Sequence, residues 1–136
     1  MNNEKKLSTI FFAYQQFAAM IDLKKYDLTK NQHRMLYIIY ALDNVSIKDI
    51  LKLLNISKQA SNVSLRDLIS RNLITESKSP VDKRIKILNL TTEGQRLNKQ
   101  INQEQIALLD EYFVAADNDW QKVMEKLADS YIHSLK

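Results

Sequence analysis

Asp82-Lys83-Arg84-Ile85-Lys86-Ile87-Leu88-Asn89-Leu90-Thr91-Thr92-Glu93-Gly94 reads as the return arm of a hairpin that runs straight into a helix. Asp82 and Arg84 lie two apart in an extended run. Their side chains therefore leave the same strand face and can pair, with the cation aimed outward. Leu90-Thr91-Thr92-Glu93-Gly94 ends the strand: Thr91 or Thr92 can cap the free N–H groups of the next helix, and Gln95 would complete a capping box for Thr92. Just upstream, Ser79-Pro80-Val81-Asp82 suits a β-turn with Pro in second place, between a strand entered through Leu73, Ile74 and Thr75 and a return strand from Ile85 to Leu90. The inward phase is open, because Ile85 and Ile87 alternate on one face and Leu88 and Leu90 on the other.

Before the hairpin the sequence has paired short helices. Thr29-Lys30-Asn31-Gln32 is a capping box for a helix to about Leu42, with Met35, Leu36, Ile38, Ile39 and Leu42 facing inward. Ser46-Ile47-Lys48-Asp49 opens the next, with Val45 and Ile50 spaced as a hydrophobic staple and Ile47, Ile50, Leu51 and Leu54 as the buried stripe. Asn55 stands where a left-handed residue must end that helix, and Ser57 caps a further one. Two short helices joined by so tight a turn make a helix-turn-helix, and the hairpin after it makes a winged helix. On the second helix Ser61, Ser64, Leu65 and Leu68 cluster on one side. Gln59, Asn62, Arg66 and Ser70 cluster opposite with Val63 beside them, a set suited to base edges, while Lys58 at the N-terminus suits a phosphate. Asn72 then ends the helix.

The stretch D-x-R-x-x-x-L-x-L-T-x-x-G, carried here by Asp82, Arg84, Leu88, Leu90, Thr91 and Gly94, resembles the signature of the MarR family of bacterial transcriptional regulators, and element order and length agree over nearly the whole chain. Many members have Gly where this chain has Asn72. The resemblance implies a mainly α fold with a small β wing: a winged helix-turn-helix at about 29–91 and dimerisation helices at about 5–25 and 92–136, in one domain. It also implies that Leu88 and Leu90 point inward.

Composition agrees. One Gly and one Pro in 136 residues favour helix, and the absence of Cys excludes disulfides, thiolate metal sites and cysteine nucleophiles. From Ser46 to Lys86 nine Lys or Arg face four acids, a balance of +5, whereas residues 91–136 carry five bases and eight acids, a balance of −3. A basic middle is what phosphate binding through one module requires. No secretory signal is legible and no apolar run approaches the roughly 20 residues that span a bilayer, so a cytoplasmic location with no membrane partner is expected. Leu7, Ile10, Phe11, Tyr14, Phe17, Ala18 and Ile21 form one helical stripe, with Phe12 and Met20 off it. A long helix carrying Leu97, Ile101, Leu108, Tyr112 and Phe113 ends near Ala115 or Ala116. Asp117, Asn118 or Asp119 caps a last one with the stripe Trp120, Val123, Met124, Leu127, Tyr131 and Leu135. So short a chain cannot bury all these stripes beside a winged-helix core. The terminal helices are expected to pack across a two-fold axis, as in the family.

No catalytic constellation is present. His33 and His133 have no acid at metal or triad spacing, and Gly94 alone makes no phosphate loop, so no enzyme, metal site or cofactor is assigned. The DNA-contacting set is Lys58, Gln59, Asn62, Val63, Arg66 and Ser70, with Lys78, Lys83 and Arg84 from the wing and Asp82 orienting Arg84. Members of the family bind small anionic aromatic molecules in a crevice. The corresponding surfaces carry Phe11, Phe12, Tyr14 and Phe17, then His33, Arg34, Tyr37 and Tyr40, and Phe12, His33, Arg34 and Tyr37 are the ligand candidates, with Arg34 meeting the anion. Such an aromatic stripe is more often core or dimer contact. The resulting reading is a sequence-specific DNA-binding transcriptional regulator: a homodimeric repressor on a pseudo-palindromic duplex, released by a small anionic or aromatic effector. The alternatives are a DNA-binding regulator without small-molecule input and a winged-helix interaction adaptor, the last disfavoured by the joint presence of Gln59, Asn62, Arg66 and Arg84.

Overall fold

The computed structural model describes residues 2–136. Helices α1 (Asn3–Ala19), α2 (Lys30–Ala41), α3 (Ile47–Leu54) and α4 (Lys58–Ser70) precede strands β1 (Ile74–Lys78) and β2 (Lys86–Leu90), and α5 (Thr92–Ala115) and α6 (Trp120–Ser134) follow. The chain divides into two compact units, one up to Asp22 together with Ile101–Lys136, the other Leu23–Gln100.

In the Leu23–Gln100 unit the local signals act as read. Thr29 and Ser46 each close a full capping box, with Gln32 and Asp49. Both staple residues, Val45 and Ile50, are buried. Asn55 takes the left-handed conformation, φ 52° and ψ 46°, and Asn72 does the same at φ 59°. Met35, Leu36 and Ile39 of α2, Ile50 of α3, and Leu65 and Leu68 of α4 are buried, whereas Leu42, expected inward, caps α2 in extended backbone and is exposed.

The wing differs from its reading in two ways. Its hydrogen-bonded turn is not at Ser79–Asp82 but spans Asp82 to Ile85, where the Ile85 N–H donates to the Asp82 carbonyl at 3.0 Å, so β2 begins at Lys86 and Ile85 stays exposed. Pro80 lies before that turn, where the Ser79 hydroxyl accepts from the Val81 and Asp82 N–H groups. The open phase also resolves unexpectedly, because Ile87 and Leu88 are both buried and Leu90 is only half-buried. The cause is a second neighbour. β1 pairs antiparallel along one edge of β2, and Val45–Ser46 lies along the other, bridged at Ser46–Ile87 with the Leu88 N–H donating to the Val45 carbonyl at 2.8 Å.

Thr91 is the cap of α5: its hydroxyl accepts from the Gly94 N–H at 2.9 Å and donates to the Asn72 carbonyl at 2.7 Å. The capping box of Thr92 with Gln95 therefore does not form, since Thr92 is already the first helical residue. A Cβ at position 94 would collide with the Leu73 carbonyl oxygen, so the motif's final glycine is fixed by close backbone approach.

In the terminal unit the large apolar residues of α1 divide between two faces. α1 packs on α6 through small side chains, with Thr9 and Ala13 at 5% and 1% exposure, and Ala13 joins Ala116, Val123, Leu127 and Ala128 in a core flanked by Phe12, Met20, Tyr112, Phe113 and Met124. Small residues let the helix backbones approach, which turns the large side chains outward. Leu7, Ile10, Phe11, Tyr14 and Phe17 consequently stand between 42% and 66% exposed, so the stripe is left unburied within the chain. Tyr112 bridges the unit's helices, accepting from Gln16 at 3.2 Å and donating to Ser130 at 3.0 Å. Of the three cap candidates Asp119 serves, and Trp120 and Leu135 at the two ends of α6 are exposed.

Candidate nucleic-acid interface

Ser57 fixes where α4 starts, its hydroxyl accepting from the Ala60 N–H at 3.0 Å. Ser61, Leu65 and Leu68 are buried, and the opposite face is exposed along its length: Lys58, Gln59, Asn62, Val63, Arg66 and Ser70. Both amides and the guanidinium on that face offer paired polar atoms for base edges, and Val63 offers the methyls that suit thymine. Ser70 is the weakest member, because its hydroxyl already donates to the Asp67 carbonyl at 2.8 Å and can only accept from a ligand.

The wing belongs to the same unit. Asp82 receives three hydrogen bonds from Arg84: from its backbone N–H and Nε on Oδ1, at 3.0 and 3.1 Å, and from Nη2 on Oδ2 at 3.0 Å. A turn residue, not the expected strand, sets this pairing. The Arg84 side chain is nonetheless 89% exposed. The pairing holds the Asp82 carboxyl below its usual range, chiefly through the Arg84 side chain and next through its N–H, and raises the Arg84 guanidinium, so both ions persist across ordinary pH. Lys78 and Lys83 are exposed beside them, and Lys86 pairs with Glu76 across the strands at 3.6 Å.

The ligand candidates fall in different units. Phe12 is half-buried in the terminal unit, edge-on to Phe11 and stacked on Tyr131. On α2, Arg34 and Tyr37 are exposed and His33 is half-buried, with its Nε2 buried and lacking a partner among the described residues. Burial first, then the Arg34 charge, lowers the His33 pKa. A groove of about 420 Å³ in the terminal unit is lined by Glu111, Tyr112, Ala115, Lys126, Asp129 and Ser130, none of them a candidate. Among the described residues no three His, Asp or Glu side chains gather as a metal site, and no helix is long and apolar enough to cross a membrane.

Sequence reasoning missed a group behind the exposed face. Gln32, Asp67 and Arg71 meet around one carboxylate, but 35 residues separate Gln32 from Asp67, and only the i,i+4 spacing of Asp67 and Arg71 left a trace in the sequence.

A helix-turn-helix with a cationic wing and a polar recognition face defines a DNA-binding protein of the winged-helix class. Residues 26–85 match the model of the MarR family. The chain is 28% identical over 131 residues to PetP, an HTH-type transcriptional regulator of Rhodobacter capsulatus, a match covering 92% of this chain and 79% of PetP. It is 40% identical over 77 residues to Hpr, an HTH-type transcriptional regulator of Exiguobacterium sibiricum, covering 55% of this chain but only 40% of Hpr. The solved complex of S. aureus MepR with DNA has a similar fold, with a TM-score of 0.60 and 26% identity over 84% of this chain and 86% of that one. Residues 26–85 thus resemble the MarR family, and the relatives to which the chain is similar are HTH-type transcriptional regulators, which are not enzymes.

Proposed function

We propose that this protein is a cytoplasmic homodimeric repressor that binds a pseudo-palindromic operator as one domain, with half-sites about 10 bp or 34 Å apart, and is released by a small anionic or aromatic ligand. α4 of each protomer enters a major groove, where Gln59, Asn62, Val63 and Arg66 read bases, with Ser70 accepting at the far end. Lys58 contacts phosphate at the helix N-terminus. Arg84, oriented by Asp82, enters the flanking minor groove while Lys78 and Lys83 contact phosphates. The observation that carries this reading is the exposed polar face of α4 in one unit with a cation pre-aimed at the wing tip. MepR, solved on DNA, supports placing a duplex against it. The unburied stripe of α1 supports a partner copy across the terminal helices, since apolar surface of that extent on a monomer marks an interaction site. Selection of a duplex from a random library, followed by footprinting, tests the reading: two protected half-sites support it, and a single half-site bound by monomer at full affinity contradicts it.

A second reading, regulation without a small molecule, is favoured by the ring of Phe12, which lies in the packing of its own unit. Under the first reading Arg34 meets the anion of the effector, with His33 and Tyr37 beside it on α2. Addition of aromatic carboxylic acids to the protein–DNA complex separates the two, since only the first predicts release.

A further inference from the structure

One carboxylate joins three segments of the winged-helix unit. Gln32 is 5% exposed and works at both ends: its Oε1 accepts from the Thr29 N–H at 3.0 Å, closing the α2 capping box, and its Nε2 donates to Asp67 Oδ2 at 2.7 Å and to the Ser64 carbonyl at 3.4 Å. Arg71 donates from Nη1 to the same Oδ2 at 3.5 Å and to the Asp27 carbonyl at 2.8 Å, and from Nη2 to the Tyr26 carbonyl at 3.4 Å. Asp27 is itself held left-handed, at φ 55°, in the turn that precedes α2. The back of α4 is thus tied to the first turn of α2 and to the backbone in front of it.

Leu65 and Leu68 turn one face of α4 inward, but apolar contact is non-directional and sets the roll less sharply than a hydrogen bond does. Charge-assisted hydrogen bonds are directional and strong. A roll of about 20° would carry a side chain about 6 Å from the helix axis by about 2 Å, well beyond the tolerance of a hydrogen bond to a base. Asp67 adjoins Arg66 and lies one turn before Arg71, so a bracket on its carboxylate controls where Asn62 and Arg66 point.

We propose that Gln32, Asp67 and Arg71 are positioning residues that set the roll of the recognition helix, and through it base selectivity, with the Tyr26–Asp27 carbonyls as the fixed anchor. This rests on the reading of α4 as the base-contacting helix. Selectivity then depends on a turn that touches no DNA.

The test compares binding to the best duplex recovered from a random library with binding to a scrambled duplex of the same composition, and records melting on the same samples. Asp67→Asn is expected to lose roughly tenfold in affinity for the selected duplex, the size of one good base contact, with little change on the scrambled one. Arg71→Lys keeps the charge without the planar fork and is expected to lose selectivity in the same direction at a milder cost in melting. Arg66→Ala should mask part of the effect of Asp67→Asn, because Arg66 supplies one of the contacts that the roll sets. Selectivity unchanged in both folded variants, or affinity for both duplexes falling together in proportion to unfolding, overturns the positioning role. No preference of the wild-type protein for any duplex overturns the base-reading role of α4 itself, and the positioning role with it.

Discussion

Arg84 is held by Asp82 through its backbone N–H, Nε and Nη2 at 3.0 to 3.1 Å, yet its side chain stays 89% exposed. An exposed ion pair of this kind contributes little to stability. Its consequence is orientation: the guanidinium is presented at the wing tip with part of its rotamer entropy already lost. Arg84→Ala should therefore weaken binding most at operators with A·T-rich flanks, whose narrow groove concentrates negative potential. Asp82→Ala should cost less affinity, and neither should shift melting much. Equal losses of melting and of binding in both variants would reduce the pair to a hairpin clasp.

Acid should leave this pair intact until far below neutrality. The folded Asp82 pKa is depressed, so its contribution is fully present above the ordinary carboxylate value of about 3.9 and is lost only as pH falls through the lower folded value. His33 titrates earlier. Its folded pKa is also lowered, so the unfolded chain binds the proton first, and its contribution, full above about 6.5, declines as pH falls below that. Melting temperature measured from about pH 7.5 down to 5.5 should fall, and His33→Gln should flatten that slope; an unchanged slope would show that His33 is not the titrating group.

The terminal unit yields opposite outcomes for two sets of apolar residues. Charge placed on the exposed stripe of α1, as in Ile10→Asp or Phe11→Asp, should leave helicity intact and shift sedimentation from dimer to monomer, with operator affinity falling accordingly. Charge placed at Leu127, buried against α1 within the same chain, should instead unfold the unit. A folded monomer from Leu127→Asp would contradict this division.

Gly94→Ala should destabilise by about 1–3 kcal/mol, because the added methyl meets a backbone carbonyl that has no rotamer to escape into. Denaturant unfolding measures it, and a neutral result would mean that Leu73 yields freely.

What is legible in the sequence is local. The capping boxes of Thr29 and Ser46, the left-handed Asn55 and Asn72, and the faces of α4 follow from a few neighbouring side chains, and the structure has them as the sequence reads. What is not legible depends on distant partners. Ile87 is buried because Val45–Ser46 lines a second edge of β2, and α1 turns most of its large residues outward because its small Ala13 is the residue that joins the core with Ala116 and Ala128. Neither fact has a short-range signature. The Asp82–Arg84 pair forms for a reason other than the expected one, since i and i+2 meet here through a turn and not along a strand.

The most direct test of the central claim, that α4 reads bases while its N-terminus and the wing supply phosphate contacts, is the salt-dependent affinity of Arg66→Ala, Asn62→Ala and Lys58→Ala for the selected operator and for single-base variants of it. Arg66→Ala and Asn62→Ala should each relax preference at particular base pairs, by about 1–3 kcal/mol for every good base-edge interaction removed. Lys58→Ala should weaken all duplexes alike and shallow the salt slope by about one unit. Identical uniform losses for all three, with base preference intact, would contradict the claim.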